Sequence, residues 1–556
     1  MDFNRYFNNK ELEETLNEWI IAYQGLISVD VIGQSHNGHP IWLLKITNRS
    51  SGIDTDKPAV WIDANIHATE IAGTTTSMRL IYTLISEYGV DDQVTKLLDS
   101  SVYYVVPRVN PDGAQLAMAD IPEYVRSGVR PYPWEDKAAG VHSQDIDQDG
   151  RILTMRITDP NGDWKISTLD ARLMEKRGID EHGEQYYRLL PEGYIEDYDG
   201  FQIKIARPHR GLDFNRNFPV EWRPENEQSG AGPYPGSEPE IKAILDFITS
   251  HPNINAGITY HTYSGVILRP PSIHPDDDMD VSDLWTYKAI GKRGTEITGY
   301  PNVSVYHDFR YHPKEIISGV FDDWLFNNLG VFAFTVEQWD IVGRAGIKDR
   351  KFIDWMRDHP HEDDYKILQW ADINVGEDAY IDWYEFEHPQ LGLIEVGGWN
   401  DMYTWRNPPH HLMGEEADRN VPFALALGKM LPHLEIHTLD VKKISNDTYT
   451  VNLVVDNNGF FPTYTSNQGK KRGVMREVRV ELTGSENVIF LNGHKKEKLG
   501  HLEGRSNKIG QTFSQATPTD NRARKEWTLK APAGSKLQLV ITNERAGSLR
   551  REIVLL

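Results

Sequence analysis

The chain has 556 residues, no cysteine and a formal net charge of −23, from 59 Lys and Arg against 82 Asp and Glu. That length predicts two or more domains. The acidic balance argues against a nucleic-acid partner, because phosphate binding needs clustered cations. The lack of cysteine excludes disulfides and thiolate ligands, so a transition-metal site must be built from His, Asp or Glu.

The opening Met1-Asp2-Phe3-Asn4-Arg5-Tyr6 has neither a basic nor an apolar leader region. No run approaches the roughly 18–20 apolar residues of a membrane span. No membrane span is expected, and the expected location is the cytoplasm, with secretion open if a leader has been removed. Glu11 to Tyr23 reads as an acidic helix. Val29–Gly33 and Ile41–Ile46 read as a hairpin across Asn37-Gly38. Ala59–Asp63 is a short apolar run of the kind that makes a buried central strand, and helical spacing of Ile71, Met78, Ile81, Tyr82 and Ile85 follows it. Val102–Val106 is a further buried run. Ile241, Ile244, Leu245 and Ile248 mark one helix face, and Ala256–Tyr260 and Val331–Val336 again read as strands. Alternating strands and helices predict an α/β fold with helices on both faces of the sheet.

Two stretches break this rhythm. Residues from about 117 to 210 are rich in Pro, Gly, Asp and Arg and read as a long insertion with little periodicity. From about 434 the pattern changes to short alternating strands such as Tyr449–Val455, Val478–Leu482 and Leu537–Ile541, with turn clusters between them. A separate all-β sandwich is expected over 434–556, after a catalytic part over 1–433.

The sharpest local signal is His67-Ala68-Thr69-Glu70, directly after the first buried strand. A His and a carboxylate at a strand end can converge on one ion. His261 stands at the end of another buried strand, and sites in open α/β sheets gather at the carboxyl ends of strands. Zinc accepts three such ligands and keeps a fourth position for water. Glu337 ends a third buried strand, which makes it the candidate general base toward that water. In Asp213-Phe214-Asn215-Arg216-Asn217-Phe218-Pro219, Asn215 and Arg216 can grip a carboxylate, and Asp213 can take the outer N–H of a ligand histidine.

Together these residues resemble the zinc carboxypeptidase family related to carboxypeptidases A and B. The matching pieces are His67-Ala68-Thr69-Glu70, Asn110-Pro111-Asp112-Gly113, the Asp213–Pro219 block, Thr259–Ser264 and Asp323-Trp324 with Glu337 thirteen residues later. They occur in the family's order across roughly residues 5 to 430. The resemblance implies an α/β/α sandwich with a mixed, mostly parallel sheet, one zinc, and hydrolysis of the C-terminal peptide bond of a peptide substrate. It implies zinc ligands at His67, Glu70 and His261, a catalytic Glu337, terminal-carboxylate binding by Asn215 and Arg216, and a subsite wall at Tyr263. Asp322, two residues before Trp324, falls at the floor of the pocket for the substrate's last side chain. An acidic residue there suits a basic end, because an unpaired carboxylate in a closed pocket is costly.

The chain departs from the pattern in places. The family's carbonyl-polarising arginine falls within the insertion, where Arg156 is the candidate and Arg151 and Arg210 are rivals. The family's mobile tyrosine is replaced by Glu315, with Tyr311 or Tyr306 as substitutes from the same loop. Asp145, Asp147 and Asp149 followed by Gly150 resemble the start of a calcium loop, but Arg156 stands where the closing Glu of an EF-hand belongs. A Ca2+ site there needs other groups, such as Asp159 or Asp163, to complete it. Besides carboxypeptidase action, two readings stay open: a zinc amidohydrolase acting on acylated amino acids or cell-wall peptides, and an inactive peptide-binding protein.

Overall fold

The computed structural model describes residues 1–312, 314–506 and 518–556. Its central sheet contains β1 (Ile27–Gln34), β2 (Pro40–Ile46), β3 (Ala59–Ala64), β4 (Val102–Val106), β5 (Ile254–Thr262), β6 (Val266–Arg269), β7 (Asn302–Ser304) and β8 (Phe332–Gln338). Their spatial order is β1-β2-β4-β3-β5-β8-β6-β7. The four inner strands β4, β3, β5 and β8 are mutually parallel. β1 pairs β2 as the expected antiparallel hairpin, β2 meets β4 antiparallel, and β6 runs against β8.

The helices that cover this sheet are α1 (Asn9–Ala22), α2 (Ala72–Glu87), α3 (Pro239–Ser250), α4 (Val281–Thr298), α5 (Phe321–Leu329) and α6 (His410–Gly428). Side chains alternate across each strand. Val60 and Ile62 of β3 therefore enter one core with Leu16, Met78, Tyr287 and Phe423, while Ala59 and Trp61 enter the other with Ile241, Ile244 and Trp324. α1, α2, α4 and α6 pack on the first face, α3 and α5 on the second. Burial on both faces is why the inner strands read as unbroken apolar runs. Gly73 lets α2 approach closely: a Cβ there would lie 2.8 Å from Cβ of Tyr260 and 3.0 Å from Cβ of Ala64. That contact is next to the ends of β3 and β5, where the histidines stand.

The insertion is more ordered than its composition predicts. Thr154–Thr158, Tyr187–Pro191, Trp164–Ile166 and Met174–Lys176 join Tyr380–His388 and Gly392–Trp399 in one six-stranded sheet. These strands are short, and the one that joins them to the hairpin, Thr154–Thr158, pairs Arg156 with Glu395, 239 residues later in the chain, so local periodicity could not show them. Glu192 fastens the insertion from within, accepting from the backbone N–H of Ile146 at 2.7 Å and of Leu153 at 2.6 Å.

Toward the C-terminus, two four-stranded antiparallel sheets face each other. Tyr449, Val451, Leu453, Trp527, Leu539 and Ile541 fill the space between them. This all-β part docks on the edge of the central sheet away from the histidines. Thr465 Oγ1 donates to Asn255 Oδ1 at 2.6 Å, Asn255 Nδ2 to Arg545 O at 2.9 Å, and Arg545 Nη2 to Leu329 O at 2.8 Å. Asn255 lies at the start of β5 and His261 near its end. Among the described residues, no helix is long and apolar enough to cross a membrane.

Candidate active site

Three strand ends meet at one sheet edge. β3 leads into His67 and Glu70, β5 carries His261, and β8 carries Glu337 directly opposite His261 in the parallel register. His67 Nδ1 is 2.9 Å from Glu70 Oε1, and His261 Nδ1 is 3.0 Å from Glu70 Oε2. The two Nδ1 atoms are 3.1 Å apart. All three side chains are buried.

The donor set fits a zinc ion. His67 Nε2 lies 3.1 Å from Asp213 Oδ1, which places the ring proton on that side and leaves the Nδ1 lone pair facing His261 and Glu70. Two imidazole nitrogens converging beside a buried carboxylate make a site for a cation. Arg126 Nε binds Asp213 Oδ2 at 3.0 Å, and its Nη1 reaches Glu70 Oε1 at 3.1 Å. Burial alone would raise Glu70, yet His67 and His261 together hold it well below the usual carboxylate range. Asp213 is likewise held well below that range, as Arg126 and Arg216 outweigh its burial. Glu337 goes the other way. Its burial and the charge of Glu70 push it up, with partial relief from Arg126.

His67, Glu70, Arg126, His261 and Glu337 line a cavity of about 300 Å³ together with Asn215, Arg216, Tyr263, Asp322 and Tyr311. A larger neighbouring cavity of about 730 Å³ shares Phe309 and Phe352 with it and contains none of the three metal-ligand candidates. Asn215 Oδ1 accepts from the Phe321 backbone N–H at 2.9 Å, so its amide nitrogen is turned the other way. Tyr263 is braced by Trp405 and Phe352 at ring distances of 6.3 and 6.1 Å. Asp322 is buried at the start of α5, and its Oδ2 has no protein partner. Burial pushes its carboxyl upward, offset in part by the Asp323 backbone and Arg216.

Arg156 is the sequence expectation that fails. It lies in the six-stranded sheet, pairs with both oxygens of Glu395 at 2.8 Å, and packs on Trp383. Its rivals are also committed elsewhere, Arg151 to Asp149 and Asp378 and Arg210 to Glu123. A guanidinium that does line the cavity beside the histidines is that of Arg126, which precedes the insertion strands rather than lying among them. Glu315 is not among the residues that line the cavity and accepts from the Tyr311 backbone N–H at 2.7 Å. Tyr311 lines the cavity, whereas Tyr306 does not.

The calcium reading finds no support. Asp145, Asp147 and Asp149 do cluster, but their oxygens are taken. Asp145 accepts from Gln148 and Gly150, Asp147 from Asp149 and Tyr384, and Asp149 from Arg151. Backbone N–H groups closing a turn explain the three carboxylates without an ion.

Residues 12–344 match the family model for zinc carboxypeptidase. The chain belongs to the zinc carboxypeptidase family. A second model, a domain of unknown function, matches residues 433–554. The chain is 24% identical to mouse (Mus musculus) carboxypeptidase A2 over 351 residues, covering 62% of this chain and 65% of that protein. It is 24% identical to human (Homo sapiens) carboxypeptidase A6 over 353 residues, covering 60% of each. The match therefore spans less than two thirds of these relatives' own length. Among solved structures, carboxypeptidase A from Helicoverpa armigera is similar at 16% identity and a TM-score of 0.41, covering 67% of this chain and 73% of that one.

Proposed function

We propose that this zinc carboxypeptidase family member is an active metallocarboxypeptidase that removes the C-terminal residue of peptides. The observation that carries the reading is that Asn215 and Arg216, a pair suited to a terminal carboxylate, line the same cavity as His67, Glu70, His261 and Glu337. His67, Glu70 and His261 would hold zinc, which when bound supplies a Lewis acid that polarises the carbonyl and lowers the pKa of water.

The other residues do the rest. Arg216 and the Asn215 amide hold the substrate's end, which fixes the last peptide bond against Glu337. Arg126 offers N–H groups to the scissile carbonyl oxygen as negative charge develops on it. Glu337 accepts a proton from the attacking water and returns it to the leaving amine. Asp213 holds the proton of His67 on Nε2. Tyr311 stands at the cavity mouth, 57% exposed, where it can close over a bound substrate. Asp322, with one oxygen unpaired, favours Lys or Arg as the residue released.

The test is product analysis by mass spectrometry on a mixed peptide set. Sequential loss of single C-terminal residues supports the proposal. Cleavage of acylated amino acids alone, with peptides untouched, replaces it with the amidohydrolase reading.

A further inference from the structure

One charged group in the cavity has no part in the chemistry above. Arg406 lines the same cavity as the metal-ligand candidates, yet it lies beyond residues 12–344, the stretch matched to the family. It ends the short helical segment Asp401–Arg406, which follows the second strand of the late hairpin. That hairpin completes the insertion's sheet. The segment that follows the late hairpin thus delivers a guanidinium to the catalytic cavity.

Its position differs from those of the other two arginines. Arg126 is tied to Asp213 and Glu70, and Arg216 acts on Asp213 and Asp322. Arg406 instead stands with Tyr263 and the adjacent Trp405, whose ring packs against Tyr263. Its Nε is held by Asp401 Oδ2 at 3.1 Å. Its two terminal nitrogens have no hydrogen-bond partner among the described residues. Burial works against the charge, but Asp401 and Glu70 outweigh it and keep the guanidinium ionised. A charged group anchored by one nitrogen, with two donors left over in a substrate cavity, is arranged to meet an acceptor from outside.

We infer that Arg406 is a specificity-determining residue that binds a carboxylate within the two substrate residues upstream of the scissile bond. The inference rests on the carboxypeptidase reading and narrows its substrate class. Arg216 acts on Asp322, whereas Arg406 acts with Asp401, Glu70 and Tyr263, so with Arg216 holding the terminal carboxylate Arg406 takes the upstream side. Peptides with Asp or Glu just before the final residue, or one place earlier, are the preferred substrates. A planar guanidinium matches a carboxylate with two parallel hydrogen bonds, which a neutral side chain cannot replace.

The experiment compares kcat/KM for acetyl-Ala-Ala-Xaa, acetyl-Glu-Ala-Xaa and acetyl-Ala-Glu-Xaa, with Xaa as Lys and as Leu. The wild type is expected to prefer one of the glutamate peptides by about fivefold or more over the alanine peptide, chiefly through KM. That preference should shrink in high salt. In Arg406→Ala and Arg406→Gln the glutamate-to-alanine ratio falls to about one, with Arg406→Lys between. A ratio is unaffected by a partial loss of folded enzyme, and the wild-type preference is a readout that needs no variant. Wild type that cleaves these peptides without favouring glutamate overturns the role of Arg406 alone. So does a preference that survives in Arg406→Ala. Wild type that cleaves none of them overturns this inference together with the carboxypeptidase reading.

Discussion

Arg126 and Arg156 carry the same side chain into opposite circumstances. Arg126 lines the cavity and is 43% exposed, tied to two carboxylates that themselves face the histidines. Its replacement by Ala removes a donor for the developing oxyanion, and kcat should fall by about 10²–10³-fold with the fold retained. Arg156 is 7% exposed, bonded to both oxygens of Glu395 and stacked on Trp383. Arg156→Ala leaves a carboxylate unpaired in the sheet and should lower stability by about 2–4 kcal/mol. Steady-state kinetics beside urea unfolding of both variants separates these outcomes. If Arg156→Ala slowed turnover without loss of stability, the two roles would have to be exchanged. The sequence could not distinguish these arginines, because Arg126 sits in a loop with no periodic or motif context. His67, Glu70, His261 and Glu337 were legible for the opposite reason: the first two follow closely on an apolar strand, the other two lie at the ends of apolar strands, and such strands share one sheet edge. Asp322 is readable only through the adjacent Asp323-Trp324. In peptides ending in Lys, Arg, Phe or Leu, the wild type should favour the basic ends and Asp322→Ala should lose that preference. A preference for Phe or Leu that the substitution leaves unchanged would remove Asp322 from the pocket.

Among the elements, the inner strands of the central sheet needed no structure to be found, since burial on both faces writes itself as continuous apolar residues. The insertion hid its sheet, because its strands are three to five residues long and the hairpin that completes the sheet lies at 380–399. The insertion has an apolar core that includes Val141, Leu153, Met155, Ile195, Ile394 and Val396, and beside it buried Glu192 clasps two backbone N–H groups. Burial, the largest influence, lifts its pKa from the usual carboxylate range up to about 7. A carboxyl raised on folding contributes stability below its unfolded pKa and loses it as pH rises through the folded value. Wild-type stability should therefore fall between about pH 5 and 8 by about 1–2 kcal/mol more than that of Glu192→Gln. Urea midpoints at the two pH values measure the difference. Parallel changes in both proteins would mean that Glu192 does not titrate as its burial implies.

On the scale of the molecule, the all-β part and the catalytic cavity lie at opposite ends of β5. Phe461, just after the second strand of the C-terminal part, stacks on Phe332 at a ring distance of 5.3 Å and belongs to the main core. Arg545 is buried against Leu329 and Asn255. A chain ending at residue 432 exposes these contacts and should melt at a lower temperature, while its folded fraction keeps the zinc site. Loss of metal in a demonstrably folded truncation would show that the C-terminal part shapes the cavity. The switch to short alternating strands near residue 434 was visible in sequence, but the docking face was not. It depends on single polar residues such as Asn255 and Thr465, which carry no pattern.

The central claim is that His67, Glu70 and His261 form one zinc site serving peptide hydrolysis. Metal analysis of purified wild type and His67→Ala tests it most directly. The wild type should hold one zinc per chain and the variant none, with the circular dichroism spectrum retained. Wild type that takes up no zinc, or a variant that keeps it, contradicts the account.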